Sequence, residues 1–121
     1  MGRVAFDGRL YAVGGRIDTP AHNTSLPEPR SGMAVVEYQA RILAIGGEQA
    51  GMSTSFATNY SYDPFKNRWS EAAPLPEGRR GTGAVVLGGR LLLPGGASIR
   101  GGSRQSNTTF VYVAIARVTT Y

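Results

Sequence analysis

Arg41-Ile42-Leu43-Ala44-Ile45-Gly46-Gly47 decides how this chain is read: one charged residue, four apolar ones and a pair of glycines. The pattern stands twice more, at Arg9-Leu10-Tyr11-Ala12-Val13-Gly14-Gly15 and at Arg90-Leu91-Leu92-Leu93-Pro94-Gly95-Gly96. Short apolar runs with little alternation suit strands covered on both faces, and paired glycines let the backbone turn with positive φ where a Cβ would clash. A strand and corner that recur cannot bury their own faces alone and need stacked neighbours.

Outward from that stretch, a shift of 49 residues lays Leu26 to Gly47 on Leu75 to Gly96 with 10 identities in 22 positions, among them Leu-Pro-Glu, Arg30 with Arg79, and the glycine pairs. The first copy fits the third at a shift of 81, through Gly2, Val4, Gly8, Arg9, Leu10, Gly14 and Gly15, but lacks 17 residues after its glycines. In the second copy that place holds Tyr60-Ser61-Tyr62-Asp63-Pro64 and Lys66-Asn67-Arg68-Trp69, which read as two strands around a turn.

Each copy opens with an apolar run and turns at Asp7-Gly8, Gln39-Ala40 or Gly88-Gly89. The first and third are good two-residue hairpin signals and the second is a weak one. The complete unit is expected to hold four strands, 33–38, 41–46, 58–62 and 68–72. No segment keeps helical periodicity over ten residues, so the chain reads as all-β.

The glycine pairs, the Tyr62 and Trp69 separated by six residues, and the repeat spacing near 50 together resemble the kelch repeat. That resemblance implies a β-propeller in which every repeat supplies one four-stranded antiparallel blade around a central channel. It divides the chain into a truncated repeat at 1–25 with its first two strands only, a complete repeat at 26–74, and a repeat at 75–121 whose last strand is degenerate, with Phe110, Tyr112 and, in place of tryptophan, Thr119. The structural motif consists of Gly14, Gly15, Gly46, Gly47, Tyr62, Trp69, Gly95 and Gly96, with Trp69 filling the wedge between blades. A ring of four or more blades needs roughly 160 residues, so a partial propeller is expected, its ring not closed by these 121 residues alone. Met1 falls inside a strand pattern, as at a truncation, and the open edges imply self-association.

Chemistry is sparse. There is no cysteine, and His22 is the single histidine, so a copper centre like that of the galactose-oxidase-like kelch enzymes cannot be assembled from these residues, and no catalytic residue, metal ligand or cofactor is assigned. Gly46 to Ser53 mimics a phosphate loop but has Met52 where lysine belongs, with no helix after it. No apolar run of ~18 residues suggests a membrane span. The net charge of +5, carried by twelve arginines and one lysine, is scattered, which argues for acidic partners and against a nucleic-acid surface; Arg100-Gly101-Gly102-Ser103-Arg104 reads as a turn. Asn23, Asn59 and Asn107 head glycosylation patterns that lean toward an extracellular setting, although the compartment is not fixed by them.

Pro29-Arg30-Ser31-Gly32 and Gly78-Arg79-Arg80-Gly81 carry the functional signal. In kelch adaptors, arginines in a similar setting line the channel mouth and bind acidic peptides. The resemblance therefore implies a non-enzymatic recognition module using Arg30, Arg79 and Arg80 to bind a protein, an acidic peptide or a glycan, since a guanidinium offers carboxylates a bidentate fork. The competing reading pairs Arg30 and Arg79 with Glu28 and Glu77. A piece of a larger kelch enzyme, an oxidase or a sugar isomerase with its catalytic blades elsewhere, is the alternative.

Overall fold

A computed structural model describes residues 2–13, 26–28, 30–49, 54–99, 105–115 and 118–120. These form ten strands: β1 (Gly2–Phe6), β2 (Arg9–Val13), β3 (Ala34–Tyr38), β4 (Arg41–Ile45), β5 (Asn59–Asp63), β6 (Arg68–Ala72), β7 (Val85–Leu87), β8 (Arg90–Pro94), β9 (Thr109–Ile115) and β10 (Val118–Thr120). They make three antiparallel sheets: the β1-β2 hairpin, the four-stranded β3-β4-β5-β6 and the four-stranded β7-β8-β9-β10. The fold is all-β, the sheets follow chain order, and each is a meander. The expected strands of the second copy appear within one residue at each end.

Alternation along β4 explains why an unbroken apolar run was required. Ile42 and Ala44 join Val13, Met33 and Tyr62 in a cluster between the first and second sheets, with Val4, Tyr11, Val35 and Trp69 packed on it. Leu43 and Ile45 join Ala34, Tyr38, Leu75, Leu91, Leu93 and Tyr112 in a cluster between the second and third sheets. A strand with neighbours on both sides has no polar face to spare. Ile42 and Ile45 are wholly buried, and burial of such a side chain stabilises by about 1.5–3 kcal/mol. Across the second joint, the Tyr38 hydroxyl donates to the Gly89 carbonyl at 2.6 Å and its ring meets Tyr112 edge-on at 5.7 Å.

The three two-residue turns foreseen in the sequence put both central residues in the left-handed region, Asp7 and Gly8 at 50° and 73°, Gly88 and Gly89 at 59° and 75°, and also Gln39 and Ala40 at 51° and 61°. The weak turn signal thus conceals the same turn. Its strain at Ala40 is offset locally, because the Ala40 N–H donates to the Glu37 carboxylate at 3.0 Å.

The fold decides one point that the sequence left open and corrects one expectation. Asn59 cannot accept a glycan in this fold, since it is 1% exposed at the start of β5 and its amide donates to the Ala73 carbonyl at 3.4 Å. Thr119 does not take the tryptophan's place: Trp69 pairs with Tyr62, whereas Thr119 pairs with Ala114, two residues past Tyr112. The register of β10 on β9 thus differs from that of β6 on β5, and position 121 lies outside the described residues. So do Gly14, Gly15, His22, Asn23 and Met52.

Candidate recognition face

At one end of the sheets the segments leading into the second and third blades meet the residue that follows the glycine pair of the same blade. Ser31 and Glu48 exchange backbone hydrogen bonds at 2.9 and 2.8 Å, and Arg80 and Ala97 do the same at 2.9 Å each. The two blades are also joined to each other: Gly47 N–H donates to the Arg79 carbonyl at 2.7 Å, and Gly81 N–H to the Gly32 carbonyl at 2.9 Å. Glycine is required at this corner. Gly47 has φ +98° and an added Cβ would lie 2.7 Å from the Ser31 carbonyl oxygen, while a Cβ on Gly46 would run into the Arg79 carbonyl. Gly96 repeats the corner, its hypothetical Cβ 2.8 Å from the Arg80 carbonyl.

Arg30 and Arg79 occupy matching places behind this corner. Arg30 is buried to the last atom of its side chain. It donates to the Gly46 carbonyl at 2.8 Å, to the Thr58 hydroxyl at 2.7 Å and to the Glu28 carboxylate, and it lies 3.9 Å from the centre of the Phe56 ring and 4.9 Å from that of Tyr60. Tyr60 donates to the same Glu28 oxygen at 3.1 Å. Burial pulls the Arg30 guanidinium below its ordinary value, against the opposing pull of Glu28. Burial, followed by the bond to Glu28, pushes the Tyr60 phenol up.

In the next blade Arg79, 3% exposed at its side chain, donates to the Ser106 and Thr108 hydroxyls at 3.0 Å each and to the Gly78 carbonyl at 2.9 Å. It stands 3.5 Å from Glu77 and 4.7 Å from the Phe110 ring centre. Both carboxylate pairs foreseen from the sequence are formed. The threonines, Ser106 and the aromatic platforms were not foreseen; the sequence signal was a hydroxyl residue twelve or thirteen positions after the glycines, at Thr58 and Thr108, too common to single out.

Arg80 differs from its neighbours. It replaces Ser31 of the preceding blade, its side chain keeps 23% exposure, and its Nε stands 3.0 Å from a Glu48 carboxylate oxygen across the joint. With Gly81, Gly96, Ala97, Gln105 and Ser106 it borders an open depression of about 240 Å³. Among the described residues no cluster of three or more His, Asp or Glu side chains could hold a metal ion.

Stacked antiparallel sheets closed at one end by glycine corners define the class: blades of the propeller type. Residues 29–76 match the family model for the kelch motif, and that stretch is a kelch repeat. It is 32% identical over 80 residues to Kelch-like protein 23 of Homo sapiens, covering 66% of this chain and 13% of that protein. Over 133 aligned residues it is 27% identical to Beta-scruin of Limulus polyphemus, covering 91% of this chain and 14% of that one. The solved structure of YjhT matches with a TM-score of 0.56 at 22% identity, over 63% of this chain and 24% of that chain, a likeness of fold. The chain thus spans about an eighth to a seventh of the length of these two curated relatives.

Proposed function

We propose that this chain is a non-enzymatic recognition module that binds a protein partner through the loop face around the glycine corners, taking an acidic peptide segment there. Arg80 supplies the contact, and Arg30 and Arg79 hold the face from behind. The observation that carries this reading is the Arg80–Glu48 pair: a guanidinium at the rim of an open depression, held by one carboxylate that an incoming carboxylate can replace. The two contacting atoms, Arg80 Nε and Glu48 Oε2, are themselves shielded from water and form no hydrogen bond, while the rest of each side chain stays partly exposed, at 23% and 18%. The kelch-like relatives and the scattered positive charge favour the same reading. A sulfated or uronic-acid glycan would present the same anionic chemistry.

The experiment is fluorescence anisotropy with a labelled Asp/Glu-rich peptide, and with an acidic oligosaccharide as the second arm. Glu48→Gln frees Arg80 and should tighten binding. Arg80→Ala should weaken it about fivefold to tenfold, the scale of one charge-assisted contact. Equal affinity of both variants and the native chain for every acidic ligand would remove Arg80 from the site.

A further inference from the structure

The third sheet leaves bare the face that the second sheet covers. In the second sheet Val36, Tyr38, Leu43 and Ile45 pack against the third. Their counterparts 49 residues on are Val85, Leu87, Leu92 and Pro94, and of these Val85 and Leu87 are 51% and 66% exposed. Pro94 is exposed as well. At the other end of the stack, Ile42 and Ala44 of the second sheet, like Leu91 and Leu93 of the third, insert against the preceding sheet. Their counterparts in the first sheet are Leu10 and Ala12, and Leu10 is 74% exposed. The molecule therefore carries the two unlike halves of one joint, at opposite ends of the stack, and that joint is already made twice inside it.

We infer that these two faces belong to each other: the third sheet of one copy receives the first sheet of a second copy, head to tail, with Leu10 seated among Val85, Leu87 and Leu92. The occupant follows from continuity with the internal joints, because the same strands would present the same alternation to one another. Scattered apolar residues need no partner, but a strand face of adjacent ones does. Unlike halves make a heterologous contact, which closes if the rotation permits and otherwise extends. Two copies assemble six sheets, four of them four-stranded and two of them two-stranded hairpins, a number within the four to eight blades that propellers use.

The test is light scattering and sedimentation of the full chain with Leu10→Glu and Leu87→Glu, each checked for its sheet circular dichroism. Leu10→Thr and Leu87→Thr replace any variant that loses that signal. The native chain should sediment at twice or more its 12.8 kDa mass. Each variant alone should dissociate about tenfold or more readily, as expected for a central apolar anchor. An equimolar mixture of the two should associate again, because one copy still offers an intact third sheet and the other an intact first sheet. A native chain that stays monomeric at high concentration overturns the inference. So does a Leu10 variant that associates as tightly as the native chain, or a mixture no tighter than its components, since either outcome means that like faces meet.

Discussion

Replacing Arg30 by alanine should unfold the blade joint rather than merely silence a binding group. The guanidinium serves the Gly46 carbonyl and the Thr58 hydroxyl, both inside the joint, and Glu28, which is partly exposed. Glu28 can return to water, so its loss counts for little. Each of the other two bonds is charge-assisted, worth about 1.5–3 kcal/mol, and truncation leaves their acceptors without a donor. The contacts with Phe56 and Tyr60 are lost as well, and the desolvation that opposed burial of the cation is recovered. We expect a net loss of about 3–5 kcal/mol, roughly what the two charge-assisted bonds contribute together. In urea, with a slope of about 1–3 kcal/mol per molar, the midpoint should fall by roughly 2 M, and a marginal blade stack should be unfolded without denaturant. Arg30→Lys keeps the charge but cannot fork between two acceptors, and should lose about half as much. Arg79→Ala should cost less than Arg30→Ala, because one of its acceptors is the carbonyl of its own neighbour, Gly78, and the corner carbonyl is not among them. An Arg30→Ala midpoint within about 0.3 M of the native value would show that the guanidinium does not hold the corner.

Gly47→Ala combines a disfavoured φ with the Ser31 carbonyl clash and should cost about 2–4 kcal/mol, whereas Gly8→Ala, at positive φ in open space, should cost about 1 kcal/mol; thermal melts of the pair isolate the steric part. Changing Gln39-Ala40 to Asn-Gly supplies residues suited to the left-handed turn already present and should stabilise by about 1 kcal/mol, raising Tm by about 4 °C. Burial alone would push the Asp63 carboxyl up, but the N–H groups of Lys66 and Phe65 and the charge of Arg41 outweigh it and hold the group below the usual carboxylate range. Its stabilising effect is therefore fully present above the unfolded pKa and lost as pH falls through the lower folded value. Asp63→Asn should differ from the native chain in urea at about pH 6 and converge with it in strong acid. Expression in a glycosylating host should leave Asn59 unmodified by peptide mass mapping, since it is buried in β5.

The strands were legible because their signal is local and doubled. Runs such as Ile42 to Ile45 carry no polar face, and their recurrence at 49 residues fixes which segments are equivalent. The Gln39-Ala40 turn was obscure because the sheet imposes it: two strands paired from Ala34–Ile45 to Tyr38–Arg41 leave two residues to turn, whatever they are. Thr119 misled because counting from Tyr112 assumes that the last two strands pair in the register of β5 and β6, and β9 and β10 pair in another. The burial of Arg30 and Arg79 was only half legible. Their carboxylate partners stand two residues away, but the hydroxyls that complete each site lie 27 to 29 residues distant, in the segment just before the third strand of the same blade.

The two described corners sort the residues of the loop face by what they can do. Where the second and third copies agree, the Arg30 and Arg79 guanidinium groups are directed inward to backbone or hydroxyl groups of the stack, Glu28 and Glu77 pair with them from the more exposed side, and the glycine pairs keep the corner clear of side chains. A contact needed at every joint must recur at every joint, so these residues are tied to architecture. Where the copies differ on the same face, at Ser31 against Arg80 and Glu48 against Ala97, the backbone bridge is kept by main-chain atoms alone, which leaves the side chain free to vary. Specificity for one partner needs groups whose change does not cost the fold, and only the second set meets that condition. The Arg80–Glu48 pair is drawn from it entirely, joining the two positions at which neighbouring corners part company.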